Sequence, residues 1–600
     1  MIVPMKRLTL LCVASEKKAA LARLASMGAL HIDAVKTDGE GSSAARADAQ
    51  AASRALSAIN AALAAKGKPF SIKTASANSG ADPLVSAVNN LADNYNATQD
   101  SLRALDTEIA KYTPFGNFEP ADANKLAAAG ITLNLFKAPA KKFPKNAESI
   151  EIISKDKNTV YFVEFGAPNS QFSILNSQLL PLPARSLAKM REERDTAIAR
   201  LSSIAEKLRE HGTDIPAIKK RLAECGGEEE YWTAFETMKT EKLPYEIAHI
   251  SGYIDARKSD EFNAAAASEG WGAALRDPTD DESPPVALEP PRIFRPITAL
   301  FKALDIVPGY TESDVSVPFY IFFTIFFAML IGDAGYGSII LALTAFAQLK
   351  TKKNPLVRST LILFYVFGGA TVFYGMLSGT YFGMPQEFIP QVLQFKSIEW
   401  LGNMNNIMRL CFTLGAIHLS LARFWNAAAL APSTKALAEL GWAGIIWSMY
   451  MIICGIVVAD FAYPAWGPYA MCVSILMVAL FMLKPSELKK EGVALGMLPL
   501  NIMSAMGDII SYVRLFAVGL ASVKVAENFN TMATGFDFPL WLKIPVMALI
   551  LLIGHGLNFA MGALSILVHA VRLNTLEFSG AKGVTWGGVQ FKAFKAEKRS

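Results

Sequence analysis

The second half of the chain contains seven apolar segments long enough to cross the hydrocarbon core of a membrane, which is about 30 Å thick. They lie near residues 317–349, 360–382, 407–429, 440–458, 469–483, 495–525 and 540–571. Charged residues stand mainly between these segments, whereas they crowd the first half of the chain. The pattern predicts a helical membrane domain that follows a water-soluble one.

Three of the seven segments, the first and the last two, exceed the length that a perpendicular span requires. A helix of about 30 residues is roughly 45 Å long. We therefore expect these three to be tilted or broken within the membrane.

The last two segments carry strongly polar residues. Arg514 lies near the middle of the first of them, where a charge costs about 2.5–3.5 kcal/mol on insertion scales. In the second, polar or small residues recur three and four positions apart, which predicts one stripe on an α-helix. The stripe consists of His555, Asn558, Gly562, Ser565, His569 and Arg572.

A similar stripe precedes Arg514. It consists of Ser504, Asp508 and Ser511, with Arg514 about 60° to one side at about 100° per residue. Two polar stripes in hydrocarbon predict a hydrated or proton-conducting groove between the helices or against a partner. The alternative is that single Ser, Asn and His side chains only join helices by hydrogen bonds.

Three sequence motifs resemble the a subunit, also called subunit I, of bacterial V/A-type rotary ATPases. SYVRLFAVGLA (residues 511–521) and IGHGLNFAMGALSILVHAVRLNTLEF (residues 553–578) are similar to the last two membrane helices of that family. FAMLIGDAGYG (residues 327–337) is similar to its first membrane helix. The resemblance covers the membrane half in motif and the N-terminal half in architecture.

The resemblance implies a membrane stator that faces a rotating ring of proteolipid (c/K) subunits, each with one ion-carrying carboxylate. Arg514 would be the essential ion-translocating residue and Arg572 would assist it. The half-channels would be lined by Ser504, Asp508, Ser511, His555, Asn558, Ser565, His569 and Glu577.

Two further features bear on the ion path. Asp333 lies between glycines inside the first apolar segment, and it could be a structural carboxylate paired with an arginine or a conducting one. Gly562 stands where some relatives of the family carry a glutamate, so the path cannot be copied from them, and both H⁺ and Na⁺ remain open.

The N-terminal half predicts a two-lobed domain on a coiled coil. Apolar residues recur at alternating spacings of three and four after Pro83 and again after Pro183, which is typical of coiled-coil helices. We expect an antiparallel hairpin over residues 44–112 and 183–244. It would carry a distal α/β lobe (113–182) and a proximal lobe (1–40 and 246–276), although a compact globular domain with two ordinary helices is the alternative.

The segment 277–298 is acidic and rich in proline, which predicts a linker between a cytoplasmic domain (1–276) and an ion-translocation domain (299–600). The resemblance further implies that the lobes bind peripheral-stalk subunits of the E/G type. The central stalk and the catalytic A and B subunits would be indirect partners, and the complex would lie in the cell (inner) membrane.

Other classes of function find little support. The chain has no Walker A, HExxH or nucleophile-elbow sequence, so we expect a subunit that is not catalytic by itself and needs no cofactor or metal. The five cysteines lack paired spacing, and the net charge of +5 is not concentrated in a basic and aromatic stripe that would bind nucleic acid.

Topology is less clearly determined. Basic clusters at 350–358, around Lys435, at 484–490 and after Arg572 predict that these sites and the C-terminus are inside. Seven spans would then place the N-terminal half outside, although the apolar run after Arg7 is too short for a signal peptide. The resemblance implies about eight spans, the extra one lying within 317–349, where Gly332, Gly335 and Gly337 interrupt the run, or near 380–400.

Two alternative functions come from other classes. A secondary transporter with a cytoplasmic regulatory domain would show internal repeats with broken helices at matching positions, and the two membrane halves show no convincing pairing. A membrane-anchored scaffold would use its coiled coil to recruit partners and its arginines only for structure.

Overall fold

A computed structural model describes most of the chain. It covers residues 1–33, 39–65, 70, 82–140, 150–156, 158–166, 178–242, 246–279, 281–351, 355–393, 397–483 and 493–595. Backbone contacts divide the chain into two compact units. The first comprises residues 1–8, 253–263 and 275–592, and the second comprises residues 9–252, 264–274 and 593–600.

Strands and helices alternate in the N-terminal half. The strands are β1 (Met5–Val13), β2 (Leu30–Ile32), β3 (Leu133–Pro139), β4 (Ile150–Lys155), β5 (Thr159–Phe165), β6 (Gln178–Leu180), β7 (Lys239–Lys242), β8 (Glu246–Asp255) and β9 (Gly272–Arg276). The helices are α1 (Lys17–Met27), α2 (Glu40–Ala64), α3 (Pro83–Tyr112), α4 (Pro120–Ala128), α5 (Leu187–Glu210), α6 (Ile215–Thr237) and α7 (Ser259–Ser268).

Four long helices of the second unit pack side by side. Helix α2 lies along α6, and α3 lies along α5. The spacing after Pro83 predicts α3, and the side chain of Asp82 caps its first turn by accepting from the amide of Leu84 at 2.8 Å. Small alanines line the buried face of α2, so α2 and its neighbours can approach closely. Their shared core also contains Val88, Ile204 and Ile218.

A four-stranded antiparallel sheet follows α3 and α4 in the chain. Its strand order is β4-β5-β3-β6. The rings of Phe136 and Phe162 stack across β3 and β5 with centroids 5.3 Å apart, and the hydroxyl of Tyr112 donates to the carbonyl of Pro181 at 2.8 Å. A second sheet has the order β2-β8-β1-β9, with β7 paired to β8.

The apolar half of the first unit is helical. Its helices are α8 (Ile297–Leu304), α9 (Ser316–Ile331), α10 (Ala334–Lys350), α11 (Pro355–Ser378), α12 (Ser397–Leu401), α13 (Met404–Leu430), α14 (Lys435–Val457), α15 (Gly467–Phe481), α16 (Val493–Gly496), α17 (Leu498–Ile510), α18 (Val513–Thr534), α19 (Leu540–Ser565) and α20 (Ser579–Lys582). Two π-helical segments, Ile566–Ala570 and Leu573–Phe578, connect α19 to α20.

Five helices in the described part of the chain are long and apolar enough to cross a membrane, or up to six if α9 and α10 count as one broken span. They cover Val357–Ser378, Met404–Leu430, Lys435–Val457, Leu498–Thr534 and Leu540–Lys582. Helix α15 is apolar but shorter. The basic cluster predicted at 484–490 lies outside the described residues.

The first long apolar segment is broken, as its length predicts. Helices α9 and α10 meet at an angle of 119°. The backbone turns at Gly332, whose φ of 67° is in the left-handed region that favours glycine. Helix α9 itself is buried on most of its surface, which is typical of a helix that is apolar all round.

The proline-rich segment predicted as a linker pairs with neighbouring backbone. The amide of Val286 donates to Val589 at 2.7 Å, and the amide of Phe591 donates to Val286 at 2.9 Å. Leu288 forms an isolated bridge with Ile2. The prolines prevent a helix in this segment. Residues between them, such as Val286 and Leu288, form these short backbone pairings.

Close packing between α11 and the start of α10 generates a first prediction. A Cβ on Gly375 would overlap the backbone nitrogen of Ala334 and lie 2.7 Å from its Cα, whereas a Cβ on Gly369 of the same helix would meet nothing within 4 Å. We expect Gly375→Ala to lower the thermal unfolding midpoint in detergent, since overpacking costs about 1–3 kcal/mol. Gly369→Ala should not lower it, and equal effects would contradict this packing.

Candidate functional site

Arg514 is positioned by a break between α17 and α18. Ser511 and Tyr512 separate the two helices, and the guanidinium Nε of Arg514 donates back to the carbonyl of Ser511 at 3.0 Å. Tyr512 is fully buried, and its hydroxyl lies 2.9 Å from Nδ1 of His418. The buried side chain of Tyr512 therefore fixes the break between α17 and α18. Arg514 lies in the first turn of α18.

His418 is a buried residue that the sequence analysis missed. Its ring lies between Phe322, with centroids 3.9 Å apart, and Phe578, with centroids 4.4 Å apart. It therefore connects α13 with α9 and with the end of the terminal helix. The available signal was a lone histidine within the apolar run 407–429.

Two arginines share one carboxylate at the centre of the site. Nη2 of Arg514 donates to Oε1 of Glu577 at 2.8 Å, and Nε of Arg572 lies 3.5 Å from the same oxygen. The Glu577 side chain is 4% exposed, against 23% for Arg514 and 52% for Arg572. Within 4 Å, two cations thus meet a single buried anion, and both cations keep part of their surface open.

The helical segment from Leu540 to Phe578 is not α-helical along its whole length. His555, Asn558 and Ser565 lie on α19, whereas His569 belongs to the π-helical segment Ile566–Ala570 and Arg572 follows it. A π-helix widens the turn to an i→i+5 pattern, so the prediction of a regular α-helix is wrong beyond Ser565, whereas one shared face for the six residues stays a prediction. The widened turns lie between the polar residues of α19 and Arg572.

A second polar cluster surrounds His555. Its Nδ1 lies 2.7 Å from the hydroxyl of Tyr336, and its Nε2 lies 3.1 Å from Oδ1 of Asn530. Asn558 donates from Nδ2 to the Tyr336 hydroxyl at 3.0 Å and accepts from the hydroxyl of Ser522 at 3.1 Å. Tyr336, Ser522 and Asn530 were not predicted from sequence, although Tyr336 stands within the motif at 327–337.

Asp333 caps helix α10. Its carboxylate accepts from the amide of Gly335 at 2.7 Å, from that of Tyr336 at 3.3 Å and from that of Gly383 at 3.1 Å. It forms no ion pair with an arginine in the described part of the chain. Of the two roles considered from sequence, the structural one fits this backbone cap, with the glycines allowing close approach.

The other predicted lining residues are dispersed. Asp508 is half-buried and interacts electrostatically with Glu577 and Arg423. Ser511 donates from its hydroxyl to the carbonyl of Gly507 at 3.1 Å, and Ser504 is exposed. Ser565 and His569 are half-buried, and His569 lies within the electrostatic influence of both arginines of the site.

A metal centre finds no candidate in the described residues, where no three His, Cys, Asp or Glu side chains cluster suitably. The chemistry available at the site is therefore that of permanent guanidinium charge and of hydrogen-bonding His, Tyr, Asn and Ser groups. Such groups can hold an anion and pass protons.

Comparisons with known proteins find full-length relatives. The chain is 27% identical over 629 residues to V-type ATP synthase subunit I of Borreliella burgdorferi, covering 100% of both chains. It is 29% identical to V-type ATP synthase subunit I 1 of Treponema pallidum, covering 99% of this chain and 100% of that one. A-type ATP synthase subunit I of Archaeoglobus fulgidus is 26% identical over 58% of this chain and 59% of its own length.

No family model matches the chain. Among solved structures, the cytoplasmic N-terminal domain of a subunit I that is a homologue of V-ATPase subunit a covers 45% of this chain and 100% of that domain. It does so at 17% identity and a TM-score of 0.21.

Because two arginines share the carboxylate of Glu577, we expect the stability of the fold to depend strongly on this residue. Glu577→Gln keeps the side-chain volume but removes the only carboxylate that the described residues place within 4 Å of both guanidinium groups, and we expect a loss of about 1–3 kcal/mol in stability. The measurement is the thermal unfolding midpoint of the full chain in detergent.

The matched control is Glu527→Gln. Glu527 accepts from Lys524 at 2.7 Å, and both side chains are exposed, at 42% and 53%. Such a pair contributes about 0–1 kcal/mol, so this variant should unfold near the wild-type temperature. If Glu577→Gln behaved like the control, the central carboxylate would not stabilise the arginine pair.

Proposed function

This chain belongs to the subunit I family of V-type and A-type ATP synthases, and we propose that Arg514 and Arg572 are its ion-translocating residues. Subunit I is the membrane stator subunit of these complexes, takes part in ion translocation and is not catalytic by itself. The proposal concerns which residues of this chain handle the ion and how. It depends on one observation, the excess of guanidinium charge over carboxylate charge around Glu577.

The charge imbalance explains why an additional carboxylate would bind here. Two guanidinium groups remain ionised at any physiological pH, and Glu577 supplies one negative charge. An unbalanced cation in an apolar helix bundle is costly. A second carboxylate brought beside Arg514 by a neighbouring subunit would reduce that cost.

The partner that fits is a ring of proteolipid subunits, each with one carboxylate in the membrane. A protonated or Na⁺-loaded carboxylate is neutral and can turn through lipid. Beside Arg514 the ionised form is favoured, because a nearby opposite charge stabilises it. Arg514 would thus release the ion from each passing subunit and prevent a direct leak between the two half-channels.

We propose that two polar clusters line the half-channels. One is the cluster of His555, Asn558 and Tyr336. The other is the arginine and Glu577 cluster, to which Asp508 is electrostatically linked. Fourteen residues of helix separate Asn558 from Arg572, about 20 Å along the axis, so the clusters lie at different depths, as two paths from opposite sides require.

The remaining predicted lining residues are assigned by position. Ser565 and His569 stand between the two clusters along the chain, and Ser504 and Ser511 flank Asp508 on the helix before Arg514. We infer that they supply hydrogen-bonding sites along the paths. The same paths can carry H⁺ or Na⁺.

A count of eight spans supports a cytoplasmic N-terminal domain. If α9 and α10, which meet at 119°, each cross the membrane, they add to α11, α13, α14, α15, the pair α17 and α18, and α19 with its π-helical continuation. An even number of crossings places both ends on the same side, and the positive-inside rule makes that side cytoplasmic. The membrane would be the cell (inner) membrane.

The helical part of the second unit is the proposed attachment for peripheral stalks. Helices α3 and α5 pack along each other, and the four-stranded sheet lies between them in sequence. This order fits a coiled-coil hairpin with a distal lobe, which would bind stalk subunits of the E/G type. The catalytic A and B subunits and the central stalk would be indirect partners. The whole complex would couple ATP hydrolysis or synthesis to the ion flow.

The decisive variant is Arg514→Ala in the assembled complex. We expect a complex that retains its proteolipid ring but shows no ATP-driven ion uptake into proteoliposomes, because no fixed cation ionises the passing carboxylate. Arg514→Lys should also fail largely, since a desolvated lysine can release its proton, and Arg572→Gln should reduce uptake less. Uptake is followed with a pH-sensitive dye, and with radioactive Na⁺ in parallel.

Arg409→Gln is the matched control. Arg409 also lies in an apolar helix, but its guanidinium faces the ring of Phe461 at 5.3 Å rather than the Glu577 cluster, so transport should be unchanged. Wild-type uptake by an assembled Arg514→Ala complex would reject the proposal and favour a scaffold with structural arginines. Failure of the ring to co-purify even with the wild-type chain would reject the partner.

A further inference from the structure

A large cavity lies in the first unit, away from the arginine cluster. Its volume is about 650 Å³. Helix α8 forms one wall, the first turn of α11 forms a second, and the paired backbone segments 286–289 and 590–591 form a third. This size is within the range of about 300–1,000 Å³ that small-molecule sites occupy.

Basic side chains line the cavity. Arg295 and Lys302 are both exposed and both border it, together with the hydroxyl-bearing residues Thr298 and Ser359. Neither cation forms an ion pair with another residue in the described ranges. The Thr298 hydroxyl already donates to the carbonyl of Arg295 at 2.8 Å, so the guanidinium and the ammonium group are the donors on which phosphate binding would depend.

Two carboxylates, Glu289 and Asp305, also line the cavity, and their environments differ. Glu289 accepts from Nη1 of Arg257 at 2.8 Å, and this hydrogen bond holds the pKa of the Glu289 carboxyl below its ordinary value. Glu289 is therefore ionised and engaged by a residue outside the cavity. Asp305 remains, so Arg295, Lys302 and Asp305 together contribute one net positive charge.

The cavity lies where a membrane boundary is expected. Helix α11 begins at Pro355, and its apolar span starts at Val357, which borders the cavity. Helix α8 immediately precedes the first apolar segment. It buries Ile297 and Phe301 while Lys302 is exposed, as an interfacial amphipathic helix does. Apolar residues, including Leu288 and Ile306, complete the lining.

We propose that this cavity binds the headgroup of an anionic phospholipid with one net negative charge. Arg295 and Lys302 hold the phosphodiester, Asp305 accepts hydrogen bonds from an uncharged polyhydroxyl headgroup, and the acyl chains follow the apolar start of α11. Charge complementarity favours such a lipid over a zwitterionic one. The proposal does not depend on ion translocation, and its test measures lipid binding alone.

The experiment is native mass spectrometry of the full chain in detergent, titrated with phosphatidylglycerol. Arg295→Gln with Lys302→Gln should weaken binding about 30-fold, since each basic residue near an anionic lipid contributes about 1 kcal/mol, which is about fivefold in affinity. Arg292→Gln with Arg358→Gln removes the same charge from exposed residues of this region that do not border the cavity, and binding should be unchanged. Ala299→Phe fills the cavity without changing charge and should also weaken binding.

Three results would overturn the proposal. Equal losses in the two double variants would mean that only general surface charge attracts the lipid. Equal binding of phosphatidylethanolamine would remove the charge argument, and full displacement by millimolar inorganic phosphate would indicate a phosphate site rather than a lipid site. Circular dichroism of each variant establishes that a loss of binding is not a loss of fold.

Discussion

One buried carboxylate facing two guanidinium groups is the interaction on which the membrane half of this protein depends. Glu577 is almost completely enclosed, and its Oε1 lies within 3.5 Å of both Arg514 and Arg572. Without it, two positive charges would stand in an apolar bundle. With it, their repulsion is reduced, and within 4 Å the described residues place one carboxylate against two guanidinium groups that both stay partly exposed.

Irregular backbone brings these three residues together. Arg514 lies in the first turn of α18, after the break at Ser511 and Tyr512. Arg572 lies between the two π-helical segments, and Glu577 belongs to the second. The aromatic sandwich around His418 supports both sides of the arrangement, because the histidine contacts Tyr512 before Arg514 and Phe578 after Glu577. Packing of aromatic rings thus sets the geometry of the charged groups.

Much of the architecture could be predicted from local patterns. The apolar runs predicted the long apolar helices because hydrophobic length is a property of the chain itself, and Gly332, one of the three glycines that interrupt the first run, is where the structure bends by 119°. The three-and-four spacing after Pro83 likewise predicted α3, because this spacing is also a local property of the chain. The π-helical turns after Ser565 could not be predicted, because an α-helical period assumes regular hydrogen bonds that the surrounding packing overrides.

The sequence by itself determined that a permanent cation stands within an apolar helix, that polar residues accompany it and that the chain resembles subunit I. These properties depend only on residue type and spacing. Only the tertiary structure decided which groups meet. It brought Glu577 to Arg514, brought Gly383 to the carboxylate of Asp333 and buried His418 against Tyr512, because contacts between residues far apart in the sequence depend on how the helices pack and not on their local order.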